Sequence, residues 1–145
     1  MIGLIQRVAQ AKVDVNGQTV GKIGTGILLL LGVEKDDTPE KAQKLCDKIL
    51  NYRIFPDELG KMNLNLQQAN GELLIVSQFT LVADTRKGSR PSFSSAAPPI
   101  LGLELYQHFI QLVHEKGVGF ATGEFGADMQ VSLVNDGPVT FHLQV

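Results

Sequence analysis

Apolar and polar residues alternate loosely through IGLIQRVAQAKVDV (Ile2 to Val15), the period of a half-buried strand. Asn16-Gly17 follows, the dipeptide that favours a tight hairpin turn, so QTVGKIG is expected to return as a second strand. GILLLLGVE is apolar throughout and reads as a third strand buried on both faces. The period changes at DDTPEKAQKLCDKILNYRIF, where Ala42, Leu45, Cys46, Ile49 and Leu50 fall on one face of a helix. Thr38 can cap that helix, Pro39 suits its first turn, and Glu40 complements its positive end.

DELGKMNLNL reads as a turn and a short strand, and GELLIVSQFTLVA as one long apolar strand. A loop rich in Gly, Pro and Ser follows, DTRKGSRPSFSSAAPP, longer than most connections in compact domains. ILGLELYQHFIQLVHEKG is a second helix, with Leu105, Phe109, Leu112 and Val113 inward and Gly117 as its stop. Strands close the chain, and alternation in MQVSLVNDGPVTFHLQV is interrupted by Asp136-Gly137-Pro138. Proline donates no ladder hydrogen bond, so the last strand is expected to stop there. The expected fold is α/β: a single sheet-rich domain over residues 1–145, its sheet layered with two covering helices.

Composition narrows the function classes. A formal charge of −2 gives no global pull toward nucleic acid or anionic membrane, so any such contact needs a local basic patch. The longest apolar run, Ile27 to Val33, is far short of a membrane span, and the N-terminus lacks the pattern of a signal peptide. A cytoplasmic protein is the default expectation. One cysteine permits no internal disulfide, and Cys46 lies on the apolar stripe of its helix, where a thiol behaves as a small hydrophobe. His108, His114 and His142 have no carboxylate or cysteine at ligand spacing, so no metal is expected. GKIGTG lacks the spacing of a phosphate cradle and precedes no helix, so no nucleotide cofactor is expected either.

Two segments stand out. SQFTL (Ser77 to Leu81) places Ser77, Gln78 and Thr80 in an apolar stretch; they either satisfy neighbouring backbone or face a pocket. NDGPVT (Asn135 to Thr140) is either an ordinary turn or a rigid backbone loop, since X-Pro bonds alone adopt cis readily.

Together, SQFTL in mid-chain and NDGPVTF near the C-terminus resemble the signature pair of the D-aminoacyl-tRNA deacylases. MIGLIQRV, LLGVEKDD, YRIF, GKMNLN, RPSFS and DMQVSLVNDGPVTF resemble family segments in order, across essentially the whole chain. The resemblance implies a cofactor-independent homodimeric hydrolase with its site at the subunit interface. Its substrate would be the ester joining a D-amino acid to the 3′-terminal adenosine of tRNA, or glycyl-tRNA with glycine mischarged on alanine tRNA. Carried over, Ser77, Gln78, Phe79 and Thr80 form the catalytic wall. Gly137 and Pro138 reach in from the partner as a Gly-cisPro turn that rejects L-aminoacyl groups, and Arg7 braces that turn.

SQFTL and NDGPVT supply no evident base for Thr80 as a nucleophile, so attack by water with main-chain oxyanion stabilisation near Phe79 and Thr80 is the preferred expectation. Arg86, Lys87 and Arg90 are either tRNA phosphate contacts or a solvated loop.

Overall fold

The computed structural model describes residues 1–145. Strand β1 (Ile2–Val15) turns at Asn16-Gly17 into β2 (Gln18–Ile23), and β3 (Gly26–Gly32) follows. Both turn residues have positive φ, 50° and 76°, the conformation a two-residue hairpin needs to match the strand twist. Helix α1 (Pro39–Leu50) starts where Thr38 Oγ1 accepts from the Lys41 amide at 3.3 Å. The short strands β4 (Phe55–Pro56) and β5 (Met62–Leu64) pair with each other outside the main sheet.

Strand β6 (Glu72–Ser77) pairs parallel with β3, and β7 (Phe120–Thr122) pairs parallel with β6. Helix α2 (Pro99–Glu115) lies between them in sequence, and Gly117, at φ +70°, ends it. Strand β8 (Gln130–Gln144) runs antiparallel along nearly the whole of β1. The first half of β1 therefore lies between β3 and β8, and its second half between β2 and β8.

The main sheet curls until its two ends nearly meet. At Gly21 of β2 a Cβ would lie 2.3 Å from the Thr122 carbonyl oxygen of β7, so only glycine permits that approach. Val8, Val13, Ile23, Leu28, Leu74 and Val76 fill the inside of the curl. On the other face Ile5, Ile27, Leu29, Leu73 and Ile75 meet both helices through Leu45, Ile49, Leu105, Phe109 and Val113. Cys46 is buried there, and its thiol is pushed up to about 11 by loss of water. The Met1 amino group is also buried, 2.6 Å from Asp37 and 2.8 Å from Glu34.

Two expectations are corrected. GELLIVSQFTLVA is not one strand. Its ladder with β3 ends at Leu31 opposite Ser77, and Phe79–Val82 wind into a 3₁₀ turn. The last strand does not stop at Asp136-Gly137-Pro138. Asn135 pairs with Val8 and Thr140 with Gln6, so four residues, Asp136 to Val139, stand opposite Arg7 alone as an outsized bulge. The long partner β1 carries the ladder past the interruption.

Candidate active site

At the end of β6 the sheet opens into a cleft of about 510 Å³. Ser77, Gln78 and Phe79 form one side, Pro99, Gly102 and Tyr106 of α2 a second, and the loop Phe125–Ala127 with Met129 and Val131 a third. The lining is mostly apolar. The Gln78 amide nitrogen is anchored to Leu31 O at 2.8 Å, so the segment leaves the sheet from a fixed point. The 3₁₀ turn then closes through Leu81 N to Gln78 O and Ala83 N to Thr80 O. The amides of Phe79 and Thr80 come first in that turn, and the first amides of a helical turn have no acceptor within it.

The four SQFT residues are not equivalent. Ser77 and Gln78 are half-buried, whereas Phe79 and Thr80 are exposed, and Thr80 lies outside the cleft lining. The Thr80 hydroxyl accepts from the Gln78 side-chain amide, a group unable to take its proton. Within the chain no His, Asp, Glu or Lys hydrogen-bonds that hydroxyl, the kind of neighbour a threonine nucleophile needs.

Tyr106 and Phe125 line the cleft without having been anticipated from sequence. The Tyr106 hydroxyl donates to Ile75 O at 3.0 Å, two residues before Ser77, and the ring meets Phe125 at 5.7 Å between centroids. Burial pushes the Tyr106 hydroxyl up to about 12, so it stays protonated at neutral pH and acts as a strut. Tyr106 is buried on α2 beside Leu105, and nothing in the sequence set it apart as a cleft residue. Phe125, in a Gly-rich loop, gave none.

The turn at Gly137-Pro138 is held from beneath. Arg7 Nε donates to Asp136 O at 2.9 Å and Arg7 Nη1 to Ile54 O at 2.7 Å, and Nε lies 3.4 Å from Asp136 Oδ2. The Arg7 side chain is only 11% exposed, so the guanidinium works out of bulk water. Gly137 adopts φ +137°, a conformation that disfavours L side chains, and a Cβ there would sit 2.9 Å from Val139 N. The Gly137–Pro138 peptide bond is cis. Both residues are exposed, and neither lines the cleft of its own chain. The fold thus gathers Ser77, Gln78 and Phe79 at one place and Arg7, Gly137 and Pro138 at another, without joining the two in one chain.

In the long loop, Arg86 clasps Asp84: Nε lies 2.9 Å from Oδ1 and Nη2 2.7 Å from Oδ2, holding the carboxyl well below the usual range. Lys87 and Arg90 are exposed and make no ion pair. No helix of the protein is long and apolar enough to cross a membrane.

The family model for D-Tyr-tRNA(Tyr) deacylase matches residues 4–144. A D-aminoacyl-tRNA deacylase of Haemophilus influenzae strain PittEE is 70% identical over 145 residues, covering all of both chains. Among solved structures, c-Myc DNA Unwinding Element Binding Protein superposes with a TM-score of 0.95 at 38% identity, covering 100% of this chain and 99% of the other. A probable eukaryotic D-amino acid tRNA deacylase shares the fold at TM-score 0.84 and 19% identity, with 99% and 98% covered. The class these matches define is a group of hydrolases acting on aminoacylated tRNA. The chain belongs to the D-aminoacyl-tRNA deacylase family.

Proposed function

We propose that the chain hydrolyses the ester between a D-aminoacyl group and the 3′-terminal adenosine of tRNA, and that it does so as a homodimer. The observation that carries the arrangement is the separation just described. A turn braced by a nearly buried arginine is presented to solvent, away from its own cleft. In a two-fold dimer, each turn enters the cleft of the other subunit and completes it.

The chemistry requires little beyond that. A water molecule attacks the ester carbonyl carbon, and the bond to the ribose oxygen breaks. The proton lost by water passes to that oxygen, with the neighbouring 2′-hydroxyl able to assist. Free amino acid and uncharged tRNA leave. The Phe79 and Thr80 amides, first in their 3₁₀ turn, stabilise the oxyanion, a role backbone donors fill without reorganisation. Thr80 positions and does not attack, in keeping with its Gln78 partner.

Selection is by exclusion. An enzyme serving many side chains must read the chiral centre against something fixed, and carbonyls on a proline turn gripped by Arg7 are fixed. An L-aminoacyl group directs its side chain into that turn and clashes, whereas a D side chain points away. Glycine has no side chain to exclude, so glycyl-tRNA is also a substrate.

Matched D-Tyr-tRNA and L-Tyr-tRNA incubated with the protein test the reading. Release of D-tyrosine alone is expected, from a species with the mass of a dimer. Equal release of both would refute the chiral gate. Release of neither would leave a non-catalytic binding module on the same fold.

A further inference from the structure

Two aromatic rings stand at the mouth of the cleft outside both hydrophobic clusters. Phe79 is 63% exposed and Phe93 41%, their centroids 5.2 Å apart and planes inclined by 47°. Phe93 is brought there deliberately: Asp84 and Ser92 exchange both backbone bonds, at 2.8 and 3.0 Å, closing the base of the long loop. Ser95 Oγ then ties the following residues to Val82 O at 2.6 Å. The held loop thus places an apolar ring in water beside the cleft wall.

Charge on the same loop indicates what covers it. Arg86 is satisfied by Asp84, but Lys87 and Arg90 carry charge without a carboxylate partner. An apolar platform on the same loop as unpaired cations suits a flat base with a phosphate attached. The same surface suits a second protein chain less well, since burying those cations would leave them uncompensated.

We propose that Phe93, against Phe79, is the platform for the base of the nucleotide preceding the terminal adenosine, with Lys87 and Arg90 beside its phosphate. This rests on the deacylase reading above and adds a second nucleotide subsite to it. The cleft takes the terminal nucleoside, and the aromatic pair catches the next base as the single-stranded end of the tRNA leaves the protein.

Two small esters test it: D-tyrosyl-adenosine, and D-tyrosyl on the adenosine of the dinucleotide cytidylyl-adenosine. The added nucleotide should raise kcat/KM by about tenfold or more, the size of one base stacked on an aromatic side chain. Phe93→Ala and Phe93→Leu should reduce that gain to within about twofold while hydrolysing D-tyrosyl-adenosine at the wild-type rate. Phe93→Tyr should restore it, and an abasic residue in place of cytidine should abolish it in the wild type and in Phe93→Tyr alike. A wild type that gains nothing from the added nucleotide overturns the proposal while leaving the deacylase reading intact. So does a Phe93→Leu variant that slows both esters equally and elutes as a monomer, which would mean the ring faces a second copy. A wild type that hydrolyses neither ester nor D-Tyr-tRNA overturns both readings.

Discussion

Replacing Arg7 by alanine should disable the turn at Gly137-Pro138 without dismantling the sheet. The guanidinium makes two charge-assisted bonds to main-chain carbonyls, at 2.9 Å to Asp136 and 2.7 Å to Ile54. Each bond of this kind contributes roughly 1.5–3 kcal/mol. The exposed turn can recover water at Asp136 O, so the expected loss of stability is about 2–4 kcal/mol rather than the full sum. Urea unfolding should show a lower midpoint with an unchanged slope, because the surface buried by the fold is the same. The effect on function should be larger. A turn free to move by about 1 Å loses about a hundredfold in rate when its job is to position. D-Tyr-tRNA hydrolysis should therefore fall by about that factor under conditions where the variant is fully folded, and L-Tyr-tRNA should begin to be cleaved at a detectable rate. Arg7→Lys should lie between, since one ammonium cannot span both carbonyls in a fixed fork. A folded Arg7→Ala protein that keeps wild-type D turnover and wild-type discrimination would refute the idea that Arg7 holds the gate.

Thr80→Ala should retain substantial D-Tyr-tRNA turnover, and mass spectrometry of a quenched single turnover of the wild type should find no acyl adduct; an adduct on Thr80 would make it the nucleophile. Neutralising Lys87 and Arg90 together should flatten the log–log salt dependence of tRNA binding by about 1 to 1.5 in slope, whereas Arg86→Gln alone should change it far less because Asp84 already holds that charge. Burial raises Cys46 to about 11 from an ordinary 9.0, so the folded state keeps its proton longer than the unfolded chain. The stability this contributes is complete below pH 9 and is lost as pH rises toward 11, so Cys46→Ala should show a shallower decline in unfolding midpoint across that window.

The helices were legible because their signals are local. Thr38, Pro39 and the apolar spacing of α1 act within one or two turns, and Ala42, Leu45, Cys46, Ile49 and Leu50 are all buried as their spacing requires. The hairpin at Asn16-Gly17 was legible for the same reason. SQFTL was misread because a strand lasts only as long as its neighbour, and β3 reaches Gly32 and ends. Nothing within GELLIVSQFTLVA records that limit. Asp136-Gly137-Pro138 was misread in the opposite sense. Proline forbids a ladder bond, but the ladder resumes beyond it because β1 extends on both sides.

The cleft was only partly legible. Its walls come from segments dozens of residues apart, and Tyr106, Phe125 and Phe93 acquire their places only when α2, the β7–β8 loop and the long loop converge. Apolar residues in amphipathic or loop segments give no sign of which pocket they will border.

Strand β8 carries Val131 at the cleft and Gly137 in the bulge at the turn, both on one strand. The six steps of chain from Val131 to Gly137 set a spacing of about 20 Å, stiffened as far as Asn135 by pairing with β1. In the two-fold assembly proposed above, this strand is a ruler. Its length decides how far apart the two reaction centres stand, and a slip of one subunit against the other displaces both gates at once. Neither centre can be loosened alone, so evolutionary tuning of selectivity must act on the pair together or within the cleft walls.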